Sequence, residues 1–321
     1  MLHKIRKSTR LLLIMLIICI LTPQTWAKSD AGKLTIRYFD LDGENVAEGY
    51  SGDAILITTP DGQNILIDSF APPVAGNLVK RLRELGVDRL DYAFATHPHV
   101  DHIGGFPTIF EHFEVGKFYQ TNVPYNTSSH YKRLQQSLVA HNIEMAFLEE
   151  GDIFQVGEDL TFTVFNPPKG TNPENVPSQE ALTAPKILNQ YSLVMRMDYK
   201  YFSMLFVGDI YVSREMDLVV EYDELLEADI LDVPHHGSTT SSSYMFIKTV
   251  QPKYAIANND NLLPAESFEK YTDLGIDMFV TASHGEITIV TDGENIEITT
   301  ERELSDYLKQ LKWGEPSKPA A

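Results

Sequence analysis

A single cysteine, Cys19, occurs in 321 residues. It lies inside an apolar run near the start, and Ile18 before it is bulkier than a lipoprotein signal accepts. With no second cysteine the chain has neither a disulfide framework nor a thiolate zinc site, so any metal must be held by histidine and carboxylate. Basic residues are also scarce: 26 Lys and Arg stand against 45 Asp and Glu, a formal charge of −19. That field repels polyanions at long range and argues against a protein that coats duplex nucleic acid, although bound divalent metal would reverse it locally. Internal repeats, heptad runs and low-complexity tracts are absent from the sequence. Its long apolar run, Leu11–Leu21, falls short of the ~20 residues of a membrane span.

That run follows Lys4, Arg6, Lys7 and Arg10 and precedes Thr25-Trp26-Ala27, the layout of a secretory signal. Residues 1–27 are predicted to be a signal peptide cleaved after Ala27, giving a secreted or extracytoplasmic protein with no integral membrane domain. Retention as an uncleaved anchor is the alternative. Losing four basic residues takes the formal charge from −19 to −23 and leaves 294 residues, a length for one large α/β domain or two small ones.

Hydrophobic periodicity predicts short strands interleaved with helices, hence an α/β layered architecture. Predicted strands are Leu34–Phe39, Ala54–Thr58, Asn64–Ile67, Tyr92–Ala95, Lys117–Gln120, Leu160–Phe165, Ser192–Met197, Phe202–Val207, Ile230–Val233, Tyr254–Ala257, Met278–Thr281 and Glu286–Val290. Predicted helices are Ala75–Leu85, Tyr131–His141, Val212–Val220, Tyr244–Val250, Glu266–Leu274 and Glu301–Leu311. The Pro-rich stretch Asn166–Pro185 reads as a surface loop. Asp68, His97, Asp209 and His235 each come just after an apolar run, and the carboxyl ends of strands are where open α/β sheets gather ligand-binding groups.

The stretch Thr96–Gly105 (THPHVDHIGG) packs His97, His99, Asp101 and His102 into six residues. Alternation places His97 and His99 on one side of an extended turn. Asp101 and His102 fall on the next bend, where they can address a second ion, with Gly104 and Gly105 letting the chain turn into a helix.

This motif resembles that of the metallo-β-lactamase superfamily, and the resemblance covers nearly all of the chain after residue 27. It implies a four-layer αββα sandwich over 28–313, with 314–321 as a flexible tail. Asp68 matches the aspartate that supports the histidine loop, and Asp209 in Phe206-Val207-Gly208-Asp209 matches the carboxylate bridging both metals. His235-His236-Gly237-Ser238 and Gly52-Asp53-Ala54-Ile55-Leu56-Ile57 are similar to the branch of ComEC-type competence hydrolase domains and teichoic-acid phosphorylcholine esterases. By that likeness one histidine of the pair binds the second metal and the other faces substrate; His236 is favoured as ligand and His235 as the catalytic group. The implied ligand set is His97, His99, Asp101, His102, Asp209 and His236, holding two divalent ions, zinc first and manganese second.

Where many superfamily hydrolases supply another histidine, this chain has Asn189-Gln190-Tyr191-Ser192, so Asn189, Ser192 and Ser238 are assigned to the substrate side. His112, His130 and His141 read as surface histidines and His284 as a turn histidine. The segment Glu44–Ser51 is inserted before Gly52, and Leu263-Pro264 replaces a His-Pro pair. Metal binding can lower the pKa of water from ~16 to ~7, so a hydroxide nucleophile would need no side-chain base. Asp101 then orients an ion and Asp68 supports the loop. The expected activity is phosphodiester or phosphoester hydrolysis on a small-molecule or phosphodiester substrate. Lactone or amide hydrolysis is the second reading, and an uptake or binding accessory with a vestigial site the third.

Overall fold

The computed structural model describes residues 32–41, 52–176, 185–261 and 263–303. The expected signal peptide, the tail, the Glu44–Ser51 insertion and most of the expected helix Glu301–Leu311 lie outside those residues. Among the described residues, no helix is long and apolar enough to cross a membrane.

The strands are, in chain order, β1 Leu34–Tyr38, β2 Ile55–Thr58, β3 Asn64–Ile67, β4 Arg89–Ala95, β5 Glu114–Gln120, β6 Glu144–Phe147, β7 Ile153–Val156, β8 Leu160–Asn166, β9 Val194–Tyr199, β10 Phe202–Phe206, β11 Ile230–Asp232, β12 Tyr254–Ala257, β13 Asp277–Val280, β14 Ile287–Thr291 and β15 Ile296–Thr300. They form two sheets. One runs β15-β14-β1-β2-β3-β4-β5-β6 and the other β13-β12-β11-β10-β9-β8-β7.

Alternation along each strand builds the layers, because successive side chains leave opposite faces of a sheet. Ile55 and Ile57 of β2, Ile65 and Ile67 of β3, and Met204 and Phe206 of β10 all point into the core between the sheets. The residues between them point outward: Leu56 and Leu66 pack under Leu78, Leu82, Phe106 and Leu134 of the helices covering the first sheet. Leu205 and Leu231 pack under Leu218, Phe246 and Tyr271 of the helices covering the second. The result is the four-layer αββα sandwich that the resemblance implied. Each fully buried Leu, Ile or Phe contributes about 1.5–3 kcal/mol, so the inter-sheet core and the two helix-facing cores all contribute to the stability. At its centre Phe94 stacks on Tyr119, Phe154 and Phe162, with ring centroids 5.0, 5.6 and 6.0 Å away.

Three strands, β6, β7 and β15, were not legible as apolar runs. β6 and β15 end one sheet and β7 the other. Their residues are mostly half-exposed or exposed, and edge strands carry polar side chains on their solvent side, which erases the apolar signal.

Candidate metal centre

The candidate residues gather at one rim of the sandwich. Asp68 follows β3, His97 follows β4, Asp209 follows β10, and His235 and His236 follow β11. Asp68 is fully buried and accepts from the Thr96 backbone N–H at 2.8 Å and the Thr96 hydroxyl at 2.7 Å. Its Oδ2 also lies 2.7 Å from His102 Nδ1. That contact assigns the proton to Nδ1 and leaves the His102 Nε2 lone pair facing the site, as a carboxylate behind a metal-binding histidine does.

Gly104 and Gly105 serve a purpose other than the one expected. Both have ordinary right-handed helical backbone, φ −66° and −81°, so no special conformation calls for glycine. A Cβ on Gly105 would collide with the Ser69 carbonyl and one on Gly104 with Pro72. What glycine allows here is close approach of the metal loop to the turn after β3.

Two donor sets meet at Asp209. In the first, His97 Nε2 lies 2.8 Å from His99 Nδ1 and 3.6 Å from Asp209 Oδ2. In the second, His102 Nε2 lies 3.3 Å from His236 Nε2 and 3.5 Å from Asp209 Oδ2. Asp209 Oδ1 is 3.5 Å from His236 Nε2, and Asp101 Oδ2 is 3.7 Å from both Nε2 atoms. Tetrahedral ligands about 2.1 Å from zinc stand about 3.4 Å apart, so the second set already has the spacing of a four-ligand site. Asp209 Oδ1 and His99 Nε2 are buried without a hydrogen-bond partner. Buried polar atoms are rarely left so, and at Asp209 a cation on the His236 side would satisfy the oxygen.

The electrostatics point the same way. Burial pushes His97 and His99 below the ordinary histidine range. Burial opposes charge on His102 and His236 too, but Asp209 above all, with Asp68 and Asp101 around His102 and Asp53 beside His236, holds both well above it. The carboxylates thus call for positive charge between them. Among the described residues, the ion pairs of Asp53, Asp68, Asp101 and Asp209 run to histidines. Metal loading at neutral pH is therefore expected to expel protons from His102 and His236. Their raised pKa values mean that affinity for divalent cation falls as pH drops below them. Calorimetric titration of chelator-stripped protein in buffers of different ionisation enthalpy reads the protons released, and no proton release at neutral pH is the contrary result.

His235 and His236 both adopt left-handed backbone, φ 51° and 53°. Neighbouring contacts hold the turn: His235 N–H donates to Gly208 O at 3.0 Å and Asn259 Nδ2 to His236 O at 2.6 Å. The turn sends the two rings to different places. His236 is buried within the second donor set. His235 keeps 22% of its side chain exposed, with Nε2 3.7 Å from Asp209 Oδ2 and Nδ1 2.6 Å from Thr240 Oγ1. Asp101, 27% exposed, shares that open side.

Asn189 and Ser192 are buried, and Ser192 Oγ accepts from Asp209 N–H at 3.2 Å, so Ser192 stands behind Asp209. Ser238 is half-buried beside Thr240, with their hydroxyls 3.1 Å apart. His112, His130 and His141 are exposed. His284 is buried, its Nδ1 beside the Val280 backbone.

Besides Thr240 and Asn259, three neighbours escaped sequence reasoning. Asp53 stands behind His236, and the rings of Tyr125 and Tyr211 lie 6.1 Å from His99 and 5.0 Å from His235. Asp53 carried a signal, its place in Gly52-Asp53-Ala54-Ile55-Leu56-Ile57. Asp53 precedes a strand, whereas Asp68, His97, Asp209 and His235 each follow one. β2 runs antiparallel to β3, so the start of one meets the end of the other.

A sandwich of two sheets with histidine and aspartate donors converging at one rim defines a metallo-hydrolase class. The chain belongs to the metallo-beta-lactamase superfamily, whose family model matches residues 47–257. It is 29% identical over 181 residues to ComE operon protein 3 of Bacillus subtilis, covering 56% of this chain and 21% of that protein. To competence protein ComA of Neisseria gonorrhoeae it is 27% identical over 209 residues, 65% of this chain and 26% of that one. The chain thus spans about a quarter of the length of these curated relatives. In fold it is similar to the metallo-beta-lactamase fold protein YhfI from Bacillus subtilis, with a TM-score of 0.54 at 11% identity over 81% of this chain and 100% of that one.

Proposed function

We propose that the protein is an exported phosphodiester or phosphoester hydrolase that works with two divalent cations. The observation that carries this reading is the meeting of two donor sets at Asp209, which suits adjacent cations. His97, His99 and Asp209 would hold one, and Asp101, His102, Asp209 and His236 the other. Imidazole and carboxylate donors suit zinc first and manganese second. When bound, such cations supply the positive charge that activates water and neutralises phosphoryl oxygens.

The chain's own residues do the rest. Asp68 keeps the His102 proton on Nδ1, and Ser192 holds the Asp209 backbone in place. On the open side, Thr240 orients the His235 ring, and burial holds that ring below the ordinary histidine range, so its Nε2 would first take up the proton released by the attacking water and then pass it to the leaving oxygen. Ser238, beside Thr240, would touch substrate there. Asn189, standing where many relatives have a histidine, favours phosphoester over lactam chemistry. Export rests on the basic and apolar pattern of residues 1–27 and predicts a mature terminus at Lys28.

Purified protein is expected to hydrolyse bis(p-nitrophenyl) phosphate, to lose that activity on chelation and to regain it with zinc or manganese. His235→Gln should lower kcat by ~10²–10⁴-fold while bound metal stays at the wild-type level. Metal-loaded protein that leaves phosphodiesters intact but opens a lactone or lactam would reverse the assignment. Protein with no stoichiometric metal would point to a binding accessory.

A further inference from the structure

We propose that Asp53 is a positioning residue of the metal centre, holding His236 from behind as Asp68 holds His102. The inference rests on the metal-dependent reading above. Asp53 Oδ1 lies 3.3 Å from His236 Nδ1, beside the Asn258 carbonyl at 3.2 Å. Both acceptors face Nδ1, so the proton sits there and the Nε2 lone pair faces His102, Asp101 and Asp209.

Asp53 is close enough to His102, Asp209 and His236 to be considered a ligand itself, since donor atoms of the four lie within 4.8 Å of one another. Its direction excludes that role. The Asp53 oxygens approach the Nδ1 atoms, at 3.3 Å for His236 and 3.9 Å for His102, whereas Asp101 and Asp209 approach the Nε2 atoms. A cation on the Nε2 side is out of line with a carboxylate behind the rings.

Asp53 also has a task that Asp68 does not. His102 and Asp68 both follow strands of the first sheet and Asp53 precedes one, but His236 follows a strand of the second, so the Asp53–His236 contact ties the sheets across the site. The anchor is itself fixed: the Asp53 carbonyl accepts from Phe70 N–H at 2.9 Å, and a Cβ on Gly52 would collide with the Asp101 carbonyl. Gly-Asp therefore lets one segment touch the loop of Asp101 and hold the ring of His236.

The test uses the full chain, stripped with chelator and titrated with zinc, alongside Asp53→Ala and Asp53→Asn. Asp53→Ala is expected to bind one of its two zinc equivalents ~10–100-fold more weakly, with the other unchanged. Asp53→Asn keeps an acceptor oxygen without the charge and should fall between. Circular dichroism of the metal-free variants should match wild type. Wild-type zinc affinity in Asp53→Ala overturns the proposal. So does loss of both equivalents with a disturbed metal-free fold, which marks a general structural role. Complete loss of one equivalent at saturating zinc also overturns it by making Asp53 a ligand. Wild-type protein that binds no divalent cation overturns the metal-dependent reading as well, and so separates the two failures.

Discussion

If the proposed two-cation phosphodiesterase reading holds, replacing Asp209 by alanine is expected to lower hydrolysis by ~10³-fold or more and to remove at least one of the two cations. Asp209 is the residue common to both donor sets: Oδ2 lies 3.6 Å from His97 Nε2 and 3.5 Å from His102 Nε2, and Oδ1 faces His236 Nε2. Its carboxyl is held well below the usual range despite burial, chiefly by His236, His102 and His97. It therefore supplies a fixed negative charge at every working pH. Metal contributes several kcal/mol to stabilising a hydrolytic transition state, and about 1.4 kcal/mol is a tenfold change in rate. Alanine also strips the charge that holds His102 and His236 protonated, so those two pKa values should fall. Steady-state kinetics with metal analysis on the same preparation checks both effects. A variant that keeps two cations and wild-type turnover would remove Asp209 from the centre of the site.

Phe94→Ala should destabilise the protein by ~3–5 kcal/mol, the range for emptying a large aromatic from a closed core. Phe94 is fully buried between the sheets and lies against three other rings. The hole would be walled by Tyr119 on the neighbouring strand β5 and by Phe154 and Phe162, which face each other on the paired strands β7 and β8 of the other sheet. Denaturant titration of the metal-free protein gives the value. A loss under 1 kcal/mol would mean that the sheets close over the cavity. Phe94 also precedes His97 by only three residues, and its carbonyl accepts from Asp68 N–H at 2.8 Å. Metal affinity should therefore weaken along with stability, whereas Asp209→Ala acts on the site with the core intact.

Much of the site is local in sequence, and this is why it was legible. His97, His99, Asp101 and His102 fall within six residues, so strand–turn–helix geometry alone places them together. Asp209 and the His235-His236 pair were legible by position, each just past an apolar run. The rule that carried them, that ligands sit at carboxyl ends of strands, hid Asp53. Its strand is antiparallel to the neighbour that delivers Asp68, and the same rim then receives a strand's beginning. Tyr125 and Tyr211 bore no distinguishing pattern, since an aromatic in a loop has no period.

The inner strands were read because alternation is a property of neighbours in the chain. Three of the four edge strands, β6, β7 and β15, were not, because their mostly half-exposed or exposed residues leave no apolar run. By itself the sequence determined that any metal must be held by histidine and carboxylate, that the layers are α/β, and which loop starts the site. Tertiary structure alone decided which ring of the histidine pair is buried among the donors. Two adjacent residues with the same side chain differ only through the left-handed turn they share, and that turn is held by Gly208, Asn259 and Asp53, which are distant in the chain.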